Sequence, residues 1–170
     1  MARTLNRTEF VETINASKDR VWEVLFTQYG DIHIHNPTMV SSTYMNGATQ
    51  GGMDVVRHCK FNEKLFLDEK INEVNGTDSF SIAVVSHNLP MVKHMSATHE
   101  LTALSDRQTQ LRMISFNSFS PSFMKYLMRG QMTKSLRKHL FGLKYFAETG
   151  QVVTIADYDD VYQSYTAAAV

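Results

Sequence analysis

A chain of 170 residues with 43% apolar composition is long enough to bury a core, and its 17 basic against 17 acidic residues leave no net charge that would select nucleic acid. The single cysteine, Cys59, excludes an internal disulfide and fits a reducing compartment. No apolar run approaches roughly 18 residues and no apolar stretch opens the chain, so neither a membrane span nor export is expected and the setting reads as cytoplasmic.

Thr8 to Ile14 alternates as a strand, with Phe10, Glu12 and Ile14 on one face. Ser17 is placed to cap a short helix over Lys18 to Gln28, whose Val21, Trp22, Val24, Leu25 and Phe26 make a broad apolar side. Gly30 ends it, and Asp31 to Pro37 reads as a turn or second short helix.

Six strand-like stretches follow: Val40 to Met45, Met53 to Phe61, Lys64 to Val74, Ser79 to Ser86, His94 to Leu104 and Gln108 to Ser118. Short dividers such as Asn46-Gly47, Asn75-Gly76 and Ser105-Asp106 imply antiparallel hairpins. Alternation puts Phe80, Ile82 and Val84 on one face, and Leu111 and Met113 on a face that continues to Ser115 and Asn117.

The longest helical signal comes last, from Pro121 to Gly150. Ser120 is expected as N-cap, Pro121 at the first helical position and Gly150 at the stop. Phe123, Leu127, Met128, Met132, Leu136, Leu140, Leu143 and Ala147 recur at three- and four-residue steps and predict one buried stripe. Such a helix is about 43 Å long and needs a large partner surface. The outer side carries Lys125, Arg129, Lys134, Arg137, Lys138 and Lys144, with Glu148 its only acid. That side fits a solvated face or transient contact with anionic headgroups. The pattern predicts an α+β architecture, an antiparallel sheet packed on one long helix, which would enclose a space if the sheet is strongly bent around the helix.

The order of elements, with Ala16-Ser17 and Val21-Trp22, Pro37, Gly52 and Arg57, Glu69, Phe80-Ser81-Ile82, Leu143-Lys144 and Glu148-Thr149-Gly150, resembles the helix-grip superfamily of START and birch-pollen-allergen proteins, called SRPBCC. The polyketide cyclase/dehydrase-like branch is the most similar. The resemblance implies a seven-stranded sheet wrapped around the C-terminal helix within residues 1–150, and a cavity for a hydrophobic small molecule. Glu69 falls where the abscisic-acid receptors of the superfamily place a pocket glutamate, and Ser96 resembles one of their pocket serines. His94 stands where relatives commonly carry tyrosine, and His35 where tryptophan is frequent.

The ligand-contacting set expected on this basis is Arg57, Glu69, Phe80, Ile82, His94, Ser96, Met113, Ser115, Asn117, Met128, Met132 and Leu136. Arg57 and Glu69, on neighbouring strands, either pair under the cavity floor or grip a polar end of the ligand. His94 and Glu69 are the candidates for acid–base chemistry should the pocket act as a cyclase or dehydratase. His33-x-His35 and His58-Cys59 lack the convergent spacing of a metal site, so neither metal nor cofactor is expected. No Gly-x-Ser-x-Gly elbow or Gly-rich phosphate loop occurs.

Residues 151–170 form an acidic, tyrosine-bearing tail beyond the resemblance. With Val152, Val153, Ile155, Tyr158, Val161, Tyr162 and Tyr165 beside its acids, it is expected to dock on the basic face of its own helix or of a second copy, the latter giving a homodimer.

Overall fold

The computed structural model describes residues 5–168. Strand β1 (Asn6–Ile14) leads into α1 (Lys18–Trp22), a π-helical turn (Glu23–Thr27) and a 3-10 helix (Tyr29–Ile34). Then come β2 (Ser41–Tyr44), β3 (Val56–Lys60), β4 (Phe66–Asn75), β5 (Ser79–His87), β6 (Val92–Ser105) and β7 (Gln108–Phe119), followed by α2 (Met124–Thr149) and α3 (Tyr158–Ala168). The seven strands make one antiparallel sheet in the order β1-β7-β6-β5-β4-β3-β2.

The sheet is not flat. In β4 the register against β5 shifts between Asp68 and Glu69 and again between Ile71 and Glu73. An extra residue in one strand bends it and increases its twist, so these irregularities help to curl the sheet toward α2. Ile14, Ile71, Phe80, Leu111 and Met113 from the sheet, Val21, Val24 and Leu25 from the first helical segment, and Leu140 and Leu143 of α2 form the main core. Ser17 caps α1 through its side-chain oxygen, which accepts from the Arg20 N–H at 3.3 Å.

The first helix departs from the uniform one expected over Lys18 to Gln28. It widens after Trp22, and Gln28 N–H donates to Glu23 C=O at 2.8 Å, a five-residue step. Trp22 and Phe26 stack at 4.4 Å and both meet Phe80 edge-on, closing that end of the core.

Helix α2 also differs from expectation at its start. Ser120 does not cap it and Pro121 is not its first residue, because helical geometry begins at Met124 with Phe123 at the N-cap position. Three-residue turns meet the first N–H groups instead: Met124 N–H donates to Pro121 C=O at 3.0 Å and Tyr126 N–H to Phe123 C=O at 3.1 Å. The stop is as read, with Gly150 left-handed at φ 72° and its N–H on Phe146 C=O at 2.8 Å. The apolar stripe needs correction. Leu140, Leu143 and Ala147 are buried and Met128, Met132 and Leu136 partly buried, whereas Phe123 and Leu127 face solvent.

Close approach fixes the buried half of α2. A Cβ on Gly142 would lie 2.2 Å from the His35 carbonyl oxygen and 2.9 Å from Pro37 Cδ. Backbone cannot step aside as a flexible side chain would, so Gly142→Ala is expected to lower stability by about 3 kcal/mol, read from urea denaturation. An unchanged midpoint would show that the helix is less tightly held there.

The tail does dock on its own α2, though not through its acids. Tyr158, Tyr162 and Tyr165 surround Phe141 with ring centroids at 5.5, 4.9 and 5.7 Å. Lys138 Nζ lies 4.4 Å from the centre of the Tyr158 ring, and the Tyr165 hydroxyl donates to Glu148. Among the described residues Asp159 and Asp160 make no ion pair, and Asp157 instead accepts from Thr154 at 2.6 Å in the turn before α3. Aromatic edge contacts, with the Lys138 cation and the Glu148 carboxylate of α2, carry this contact, and the carboxylates of the tail do not. Lys144 also leaves the exposed basic face, donating to the Thr13 carbonyl of β1 at 2.5 Å.

Candidate functional site: the cavity beneath the long helix

Between α2 and the concave face of the sheet lies a cavity of about 430 Å³. Its walls are mainly apolar: Leu67, Ile82, Val84 and Met113 from the sheet, and Met128, Met132 and Leu136 from α2. Its mouth is marked by the exposed lining residues Asn62, Pro90 and Gln131, from the β3–β4 turn, the β5–β6 turn and α2. A mostly apolar concavity with a few placed polar groups is the usual form of a small-molecule site.

The principal polar groups are Arg57, Glu69, His99, His139, Ser96, Ser115 and Asn36. Arg57 and Glu69 are cross-strand partners in the β3–β4 register. The guanidinium gives Nε and Nη2 to Glu69 Oε2 at 2.8 and 2.5 Å and Nη1 to the Tyr29 carbonyl at 2.8 Å, while its plane lies 3.9 Å from the Tyr29 ring centre. Burial opposes the Arg57 charge, but Glu69 beside it outweighs burial and holds the guanidinium firmly protonated. Both guanidinium bonds end on Oε2, leaving Glu69 Oε1 as an acceptor on a residue that lines the cavity.

His99 on the sheet side and His139 on α2 are both buried residues of the lining, each with an Nδ1 that lacks any hydrogen-bond partner. His99 stacks on Phe80 at 4.7 Å and 12°. His139 stacks on His35 at 5.7 Å. Burial, with the charge of Arg57 adding to it, depresses both imidazoles to about 3, and His139 contributes further to the effect at His99. His35 is also pushed far down, first by burial and then by His139. All three rings are therefore neutral at physiological pH.

Nine of the expected ligand-contacting residues line this cavity: Arg57, Glu69, Ile82, Ser96, Met113, Ser115, Met128, Met132 and Leu136. Three do not. Phe80 stands beside His99, its cross-strand partner, and packs into the main core against Trp22 and Phe26. His94 is half-exposed away from the cavity and bonds Ser96 Oγ through Nε2 at 3.2 Å. Asn117 lines a neighbouring groove of about 270 Å³ beyond Met132, to whose sulfur its amide donates at 3.1 Å.

His99 and His139 were not among the expected residues. His99 shares the inward face of β6 with Met95, Ala97 and Leu101, and His139 lies seven residues beyond Met132, two helical turns along the cavity side of α2. Extending those periodicities would have found both. His35 serves packing, sandwiched between His139 and Phe146, whose ring lies at 6.1 Å.

The paired candidates for metal binding diverge. His58 and Cys59 point to opposite faces of β3: His58 meets Asp68 at 2.6 Å, and Cys59 is buried against Ser42 at 3.5 Å. Burial pushes the Cys59 thiol up to about 11, so it is inert rather than nucleophilic. Among the described residues no three His, Cys, Asp or Glu side chains converge as metal ligands, and no helix is long and apolar enough to cross a membrane.

A curled antiparallel sheet closed by a terminal helix over an internal cavity defines a helix-grip protein. No protein-family model matches the sequence, and no curated protein sequence is significantly similar to it. Solved structures share the architecture. The Zhui aromatase/cyclase from Streptomyces sp. R1128 superposes with a TM-score of 0.69 at 15% identity, over 88% of this chain and 100% of that one. The crystal structure of Ara h 8.0201 gives 0.68 at 11% identity, over 85% and 98%. Truncated norcoclaurine synthase from Thalictrum flavum gives 0.63 at 12% identity, over 84% and 93%. The chain shares the helix-grip fold of these structures.

Proposed function

We propose that the cavity binds and carries an apolar small molecule, lipid-like or polyketide-like, that bears an oxygen function at its inner end. The observation that carries this reading is the mainly apolar cavity of about 430 Å³ between α2 and the sheet, with Arg57, Glu69, His99, His139 and Ser115 as polar residues in its lining. Each buried polar group left without a partner costs about 1–3 kcal/mol, so a ligand hydroxyl or carbonyl placed against these side chains is favoured over a wholly apolar end. Glu69 Oε1 and Ser115 extend the same polar patch. Affinity then comes mainly from apolar area removed from water, at about 25 cal/mol per Å².

The fold is shared with an aromatase/cyclase and a synthase, which supports a second reading as an enzyme. The protonation states weigh against it. A general base works best with a pKa near the operating pH, and an imidazole at about 3 accepts a proton too weakly. Glu69 is already committed to Arg57 through Oε2.

Mass spectrometry of small molecules extracted from the purified protein tests both readings. The expected result is an apolar compound retained in stoichiometric amount, recovered unchanged after incubation, and lost from Ala97→Trp, which fills the cavity. Conversion of that compound, abolished by His99→Ala or Glu69→Gln, would instead establish catalysis. An empty cavity after exposure to candidate lipids and polyketides would remove the carrier reading.

A further inference from the structure

The two ends of α2 are treated differently by the rest of the chain. Over its second half the back of the helix is covered, with Phe141 and Tyr145 beneath the tyrosines of α3. Over its first half nothing covers it. Phe123, Tyr126 and Leu127 are 59, 75 and 68% exposed, at three- and four-residue spacing on one face. Lys125, Arg129 and Lys134 flank them, none with a carboxylate partner among the described residues, and no acid occurs in the helix before Glu148. Lys125 Nζ lies 4.9 Å from the Tyr126 ring centre, so cation and ring stand side by side at the surface.

This face adjoins the cavity mouth. The Ser120 N–H donates to the Met91 carbonyl at 2.8 Å, tying the start of α2 to the β5–β6 turn, whose Pro90 marks the opening. Met91 itself is exposed, adding a fourth large apolar side chain, and Lys93 a further cation. On the opposite rim Glu63 and Lys64 offset each other. Thus the molecule presents exposed apolar side chains, an excess of cations and its cavity opening at one end.

We propose that this end docks on the surface of an anionic lipid bilayer, with Phe123, Tyr126, Leu127 and Met91 entering the interface and Lys125, Arg129 and Lys134 meeting the headgroup phosphates. Apolar side chains interleaved with cations on one helical face are the composition that interfacial helices use. Charge complementarity favours a bilayer over a second copy, because two copies of this face would oppose cation to cation. Docking also brings the opening onto the source of an apolar cargo. That last consequence rests on the carrier reading, whereas docking itself does not.

Vesicle co-sedimentation of the full chain tests the proposal. Vesicles containing phosphatidylglycerol are expected to bind it, increasingly weakly as salt rises, and pure phosphatidylcholine vesicles much less. Each cation near the surface contributes roughly fivefold, so Lys125→Gln/Arg129→Gln/Lys134→Gln should weaken binding about a hundredfold. Phe123→Ser/Leu127→Ser should weaken it on both vesicle types, with melting temperatures unchanged because all these side chains lie at the surface. Ala97→Trp, which abolishes cargo binding on the carrier reading, should bind vesicles normally. Equal binding to neutral and anionic vesicles, no response to either set of substitutions, or loss of binding in Ala97→Trp would overturn the proposal. So would light scattering that gives a dimer dispersed by Leu127→Asp, since a second copy would then own this face.

Discussion

The protein is expected to lose stability steeply as pH falls from about 6.5. His35, His99 and His139 are neutral and buried in the fold, but in the unfolded chain each takes a proton near pH 6.5. Between that value and the folded value of about 3 for His99 and His139, the unfolded state binds more protons, and stability falls as pH falls. Each histidine contributes a slope of about 1.4 kcal/mol per pH unit in that window. Three together remove about 4 kcal/mol per unit, against a typical total of about 5–15 kcal/mol. The fold should therefore fail between about pH 5 and pH 3, where this slope exhausts such a total. Glu9 and Asp157, whose carboxyls lie below their ordinary 4.5 and 3.8, become protonated only at lower pH and do not account for loss at pH 5–6. Melting temperature against pH measures the effect. His99→Phe/His139→Leu should flatten the curve between pH 6 and 4, and an equally steep curve in that variant would refute the assignment.

The second large effect concerns Arg57. Arg57→Met leaves Glu69 buried without its cation and removes the bond to the Tyr29 carbonyl, at an expected cost of about 3–5 kcal/mol by urea denaturation. The double variant Arg57→Met/Glu69→Leu should recover most of that loss, because two apolar side chains in place of a buried pair are often neutral or better. If the double variant is as unstable as the single one, the cost lies in the lost stacking on Tyr29 and not in the stranded carboxylate. The pair also separates stability from binding. A double variant that folds well but loses cargo would assign the cavity acceptor to Glu69.

Much of this was readable beforehand, for identifiable reasons. Period-two alternation predicted the inward set from Phe80 and Ile82 to Ser115, because a half-buried sheet enforces it at every second residue. Arg57 and Glu69 could be anticipated as neighbours, since short hairpins constrain register. What misled was local signal without tertiary context. Ser120-Pro121 looks like a helix start, yet three-residue turns satisfy the first N–H groups and the helix waits for Met124. Phe123 and Leu127 match the helical period, but the sheet does not extend beneath them. His94 drew attention by its position in the resemblance, while His99 and His139 meet only through long-range packing of β6 against α2. In the tail, acidity suggested ion pairing with a basic helix, whereas Phe141 organised the contact with its ring.

The strand order has a consequence for how the molecule assembles in time. β1 occupies one edge of the sheet and β2 the other, and β1 pairs only with β7, Asn6 opposite Asn117 across 111 residues of chain. Strands β2 to β7 can zip up as successive hairpins, each closing a short loop, but β1 must wait for the last of them. Closing so long a loop is entropically costly, and topologies rich in such distant pairings fold in about milliseconds to seconds rather than microseconds. On a ribosome the first strand leaves the exit tunnel long before its partner is made. Its alternating residues stay unpaired until β7 emerges, and the cavity acquires its roof only after α2 follows. The cavity is therefore among the last features of the nascent chain to be completed.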